Sequence, residues 1–170
     1  MAQAVVIHFD EEAETEIRGL WRTLTRAGVP TPDRFAPHLT LAAAGSIPRK
    51  VRDGLRADLG RLALPGVWLA ALSTFTASEN VLMLAAVTDT ELLAVHSAVH
   101  DVLAGQVRNP SAYYLPGSWM PHCTLAQGVT DAQVVKGFAA VHPVPSIRAK
   151  TQQVAVVDTV TGDVDVLVTA

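Results

Sequence analysis

The chain has 170 residues, 49% hydrophobic and 17% charged, with 13 basic against 16 acidic side chains and a net charge of −3. That is enough apolar material for a real core, and it leaves no basic footprint of the kind that tracks a long nucleic-acid backbone. One cysteine excludes an internal disulfide framework, no apolar run approaches ~18 residues, and the start MAQAVVIHFDEE lacks a signal-peptide pattern, so a cytoplasmic chain without a membrane partner is expected.

Residues 1–80 carry nine basic and nine acidic side chains, and residues 81–170 four and seven. Any phosphate-bearing ligand is therefore expected to be small, or a terminus held by a few local contacts. Ala4 to Phe9 is a short apolar run suited to a buried strand. Asp10 is placed to cap the following helix, with Glu11, Glu12 and Glu14 in its first turns. Ile17, Leu20, Trp21 and Leu24 form one apolar stripe. Arg18, Arg22 and Arg26 line another face, read as solvated and partly paired with Glu14. Gly28 and Pro30 end the helix.

A loop from Val29 to Pro37 leads to a strand, His38 to Ala44, closed by Gly45 and Ser46. A helix from about Pro48 to Leu62 presents Val51, Leu55, Leu59 and Leu62. After the turn at Pro65-Gly66, Val67 to Thr76 and Val81 to Val87 read as a hairpin through Ala77-Ser78-Glu79-Asn80. Thr88-Asp89-Thr90-Glu91 has a capping-box pattern, opening a helix with Leu92, Val95, Val99 and Val102 inward. A long segment, Gln106 to Met120, suits a lid or binding loop. A second strand follows, then a second capping box at Thr130 to Gln133, whose helix turns Val134 and Phe138 inward. Gln153 to Val160 and Val164 to Thr169 make a closing hairpin.

One phrase occurs twice in this order: Pro37-His38-Leu39-Thr40-Leu41 and Pro121-His122-Cys123-Thr124-Leu125, with the histidines 84 positions apart. On an extended backbone His38 and Thr40 share one face and His122 and Thr124 share another, each backed by apolar residues. Two imidazoles facing one cleft can divide acid and base work near neutrality, one neutral and one protonated. The threonine hydroxyls can donate to oxyanions between them. That combination suits in-line attack on a phosphodiester. No carboxylate cluster accompanies the motif histidines and no Cys/His metal spacing is present, so neither a metal nor a cofactor is expected.

The element order repeats as well: strand, helix, loop, His-Thr strand, helix, hairpin. The expected architecture is α+β, a duplicated two-lobed fold with antiparallel sheets lining a central cleft and helices outside. The lobes, pseudo-repeats 1–80 and 81–170 of a single domain, would be related by a pseudo-two-fold axis.

The paired motifs and the duplicated layout resemble the 2H phosphoesterase superfamily, particularly its bacterial 2′-5′ RNA ligase-like and cyclic phosphodiesterase members. The resemblance spans nearly the whole chain and rests on PHLTL and PHCTL. It implies metal-independent chemistry on 2′,3′-cyclic or 2′-5′-linked phosphodiesters, with a nucleotide or RNA terminus as partner. His38 and His122 would be the acid/base pair, and Thr40 and Thr124 would bind the phosphate oxygens. RNA ligase-like members often have an aromatic residue after the first motif and a basic one beyond the second. Here Ala42-Ala43-Ala44 and Ala126-Gln127 stand instead. Phe35, Tyr113, Tyr114 and Trp119 are the remaining candidates for stacking on a base.

Other features read as structural. His96 and His100 have the i, i+4 spacing of a metal face but lack the following glutamate, so a surface or half-buried pair is expected. His8 and His142 read as structural, and Cys123 as an inert buried thiol. The chain is expected to be a monomer.

Overall fold

The computed structural model describes residues 2–77 and 79–170; Ser78, in the turn expected between the third and fourth strands, lies outside the described residues. The elements are β1 (Gln3–Phe9), α1 (Glu11–Arg26), β2 (His38–Ala44), α2 (Arg49–Leu59), β3 (Gly66–Thr74), β4 (Val81–Ala86), α3 (Thr90–Leu103), a 3-10 turn (Ala112–Tyr114), β5 (His122–Gln127), α4 (Asp131–Val141), β6 (Ile147–Asp158) and β7 (Val164–Thr169). The fold is α+β, and the order β-α-β-α-β occurs twice, over β1 to β3 and over β4 to β6.

All strand pairs are antiparallel, in the order β1-β2-β5-β4-β3-β6-β7, and β1 also pairs with β6. The length of β6 makes this closure possible. Its first four residues, Ile147 to Lys150, pair with β3, and the stretch from Thr151 onward pairs with β1, with β7 joining from Gln153. Sequence pattern locates this strand six residues too late, at Gln153, because Arg148, Lys150 and Gln152 interrupt the apolar run. They are the exposed positions of an alternating strand whose buried partners are Ile147, Ala149 and Thr151.

Alternation fixes which face each strand buries. Val5, Ile7 and Phe9 of β1 meet Ile17, Trp21 and Leu24 of α1 in one apolar cluster. Leu39 and Leu41 of β2, Leu55 and Leu59 of α2, and Val95 and Val99 of α3 join the same cluster. A fully buried side chain of this size contributes roughly 1.5–3 kcal/mol. The helix α4 can approach closely because it carries Gly137. A Cβ there would stand 2.9 Å from Leu82 Cδ2 and 3.2 Å from Leu24 Cδ2. Across the molecule, Asp165 of β7 binds Arg52 and Arg56 of α2, and the two guanidinium groups hold its carboxyl below the usual carboxylate range against the opposing effect of burial.

Two caps differ from expectation. Asp10 occupies the N-cap position of α1, but its carboxylate accepts from Lys150 N at 2.7 Å, so it ties β6 rather than the helix. The cap of α3 is Asp89, not Thr88; its carboxylate accepts from Leu92 N at 2.8 Å, a reach that a charged acceptor wins over the hydroxyl one residue earlier. The box at Thr130 and Gln133 forms as the pattern predicts. The second helix ends at Leu59, leaving Leu62 exposed. Among the described residues no helix is long and apolar enough to cross a membrane.

Candidate active site

The two His-Thr strands are neighbours. Leu39 of β2 is the register partner of Cys123 of β5, and both are buried. In an antiparallel pair, one step either way sets His38 opposite Thr124 and Thr40 opposite His122. All four side chains share the face that Leu39 and Cys123 do not, and all four are half-buried. Each imidazole thus has a hydroxyl from the other strand beside it, and the imidazoles lie on one diagonal.

The two histidines are held in the same way. Nδ1 of His38 lies 2.8 Å from the Ala36 carbonyl, and Nδ1 of His122 lies 2.7 Å from the Met120 carbonyl. A carbonyl only accepts, so each ring carries its proton on Nδ1 when neutral and leaves the Nε2 lone pair for chemistry. Burial holds both imidazoles below their ordinary value, against the pull of those carbonyls, and His122 depresses His38 further. Each ring also meets an aromatic edge: His8 at 6.4 Å for His38, and Phe75 at 5.4 Å for His122.

Three adjoining cavities run past these groups. One of about 420 Å³ is lined by His8, Phe35, His38 and Gln153. One of about 360 Å³ is lined by Phe35, His38, Thr40, Tyr114 and Thr124. The third, about 310 Å³, is lined by Phe75, Tyr113, Tyr114, His122 and Thr124. Their shared walls make one trench with the four motif side chains at its middle. Its charged lining residues are Glu14, Arg34 and Glu79. Arg34 donates to the Val160 carbonyl at 2.7 Å and lies 5.3 Å from the Phe35 ring. An anion in the trench is therefore met mainly by neutral donors and imidazoles.

The aromatic candidates separate. Phe35 and Tyr114 are half-buried trench walls, and the Tyr114 phenol pairs with the Thr40 hydroxyl. Tyr113 is exposed, and its hydroxyl donates to Glu79 at 3.0 Å. Trp119 lines none of the three cavities. Its Nε1 donates to the Thr40 carbonyl at 3.1 Å and its ring stacks on His96 at 3.9 Å, so it braces β2 from behind. The long segment carrying Tyr113, Tyr114 and Trp119 is fastened to the end of β2: Ser111 N donates to Ala43 O and Gly45 N, just past the strand, to Arg108 O, both at 2.8 Å.

His96 is buried rather than at the surface. It meets the Tyr114 carbonyl at 2.7 Å, while His100 meets the Leu41 carbonyl at 2.9 Å. Both imidazoles are occupied as struts, His96 between α3 and the 3-10 turn and His100 between α3 and β2. Cys123 is buried, and burial pushes its thiol up to about 12. The residue that pattern reading passes over is His8. It shares a face with Ala4 and Val6 on β1, and only the register His8↔His38 reveals that this face is the trench.

The model of the 2′-5′ RNA ligase superfamily matches residues 9–163, and the chain belongs to that family, the 2H phosphoesterases. Solved structures with the same fold include E. coli LigT complexed with 3′-AMP, 16% identical, covering 97% of this chain and 92% of that one with a TM-score of 0.56. A structure described as a phosphoesterase is 19% identical, with 97% and 93% coverage and a TM-score of 0.56. Usb1 of Kluyveromyces marxianus is 12% identical, with 97% and 96% coverage and a TM-score of 0.50. No curated protein matches the chain in sequence.

Proposed function

We propose that this protein is a phosphoesterase that opens 2′,3′-cyclic phosphates on a nucleotide or an RNA end, with His38 and His122 as its acid/base pair. The observation that carries this reading is the diagonal of two imidazoles, each with Nδ1 on a carbonyl and Nε2 without a hydrogen bond among the described residues, flanked by Thr40 and Thr124. Water attacks phosphorus while one neutral imidazole takes its proton. The bond from phosphorus to one ribose oxygen breaks, and the other imidazole, protonated, gives that oxygen its proton. Thr40 and Thr124 donate to the non-bridging oxygens as charge builds on them.

Membership of the family and the 3′-AMP complex of LigT support a nucleotide-sized ligand. The scarcity of cations in the trench supports a short ligand over a long RNA strand. The family's description also admits the making or breaking of 2′-5′ linkages, and a cleft that binds without turnover is the third reading.

Incubating the protein with the four nucleoside 2′,3′-cyclic monophosphates and with 2′-5′ dinucleotides, with and without EDTA, separates these readings. The expected result is one monophosphate isomer, formed at the same rate with and without EDTA. Turnover of 2′-5′ dinucleotides alone would move the assignment to the second reading. Binding with no turnover would move it to the third.

A further inference from the structure

The floor of the trench is patterned in rows across the strands. Register pairs join Gln153 of β6 to His8 of β1 and His8 to His38 of β2, and the step from Leu39↔Cys123 sets Thr124 of β5 beside His38. The next row reads Ala155, Val6, Thr40, His122 and Ala85. The first row therefore stays polar for two strands beyond the motif, about 10 Å at ordinary strand spacing. The second turns apolar as soon as it leaves the motif on either side.

His8 is also held in the opposite tautomer to the motif histidines. The Gln153 side-chain amide donates to His8 Nδ1 at 3.0 Å, so the proton of the neutral ring sits on Nε2. Nδ1 is satisfied; no hydrogen bond within the described residues takes up Nε2, and the ring lines the cavity of about 420 Å³ together with His38 and Phe35. Burial keeps His8 uncharged, depressing it to about 4, and His38 adds to the effect while Glu14 opposes it. Glu14 itself is engaged by Arg18 at 2.8 Å. One strand beyond His38, the His8 N–H lies past the groups that flank the phosphate, within reach of a hydroxyl or ether oxygen on the group attached to it. The group that reaches it, when phosphorus lies between the motif histidines, is the sugar attached to that phosphorus.

We infer that His8 is a substrate-binding residue whose Nε2–H donates to a ribose oxygen next to the phosphate, with Gln153 fixing its tautomer. This inference rests on the phosphoesterase reading for the position of the phosphate, but its test reads binding and so does not depend on turnover.

The probes are adenosine 2′- and 3′-monophosphate, the deoxy counterpart of whichever binds more tightly, and inorganic phosphate, titrated calorimetrically into wild type, His8→Ala and His8→Gln. In wild type the ribonucleotide should bind more tightly than its deoxy counterpart. His8→Ala should weaken the ribonucleotide about tenfold, abolish that preference and leave inorganic phosphate unchanged. His8→Gln, which keeps an N–H donor, should restore most of the difference. Nitrogen-15 spectra of the histidine rings should show the proton of His8 on Nε2.

Unchanged ribonucleotide affinity in His8→Ala would overturn the inference. So would equal weakening of nucleotide and phosphate, or a wild type that does not distinguish ribose from deoxyribose. Cyclic-phosphate turnover measured on the same samples keeps the two proposals apart. A His8-dependent ribose preference without turnover removes only the hydrolase reading, and turnover without that preference removes only this one.

Discussion

Leu39 of β2 and Cys123 of β5 are register partners, buried beneath the face that carries the motif side chains. This apolar pair sets the stagger of the two strands, and one residue of slip would turn every motif side chain to the other face. Leu39→Ala should lose roughly 2–5 kcal/mol of stability, since it leaves a cavity in a fully buried site. Urea unfolding measures that loss. Turnover by the folded fraction should fall as well, and unchanged turnover would mean that the stagger does not depend on this contact.

Cys123 should be chemically silent. With its thiol buried and pushed up to about 12, almost no thiolate exists at neutral pH. A thiol reagent should label the protein only after denaturant is added, and Cys123→Ala, which removes one atom where Leu39→Ala removes three, should cost less turnover than that variant. Labelling of the native protein on the same timescale as a free thiol would contradict the buried placement.

The pH dependence of activity follows from the two motif histidines. Both have folded values below 6.5, and kcat/KM reports the free enzyme. Catalysis needs one neutral and one protonated ring, so the bell of kcat/KM against pH should centre below 6.5. A centre above 7.5 would point to a different pair of titrating groups.

Stability should respond to pH through His8. Its folded value, about 4, lies below the unfolded 6.5, so between those limits the unfolded chain binds more protons. Its contribution is fully present above pH 6.5 and is lost as pH falls toward 4. Chemical denaturation between pH 7 and 4 should show a shallower decline in His8→Gln than in wild type. Equal slopes would mean that His8 is as solvated in the fold as in the unfolded chain.

Tyr114→Phe removes the phenol that the Thr40 hydroxyl meets. One hydrogen bond of this kind contributes about 1 kcal/mol, so stability should change little. Thr40 would lose its fixed rotamer, and turnover should fall a few-fold. A loss as large as that of a motif histidine would place the phenol itself among the reacting groups.

The elements and the His-Thr motifs were legible in the sequence because each rests on a local signal. Alternation marks the strands, the Thr130–Gln133 box marks α4, and the repeated phrase marks β2 and β5. What was not legible depends on register and reach. His8 looks like a lone strand histidine until β1 is laid against β2. Trp119 looks like a base-stacking residue until its indole is found on His96 and the Thr40 carbonyl. Asp10 has the right type and place for a cap, yet a backbone N–H 140 positions away meets its carboxylate. Each of these outcomes is decided by a partner distant in the chain, which local pattern does not encode.

The most direct test of the two-histidine mechanism is the hydrolysis rate of a 2′,3′-cyclic nucleotide by wild type, His38→Ala, His122→Ala and the double variant, all confirmed as folded. Each single variant should lose about 10²–10⁴-fold in kcat. The double variant should be little worse than either, because the two rings act as one unit. A single variant that keeps the wild-type rate would contradict the mechanism.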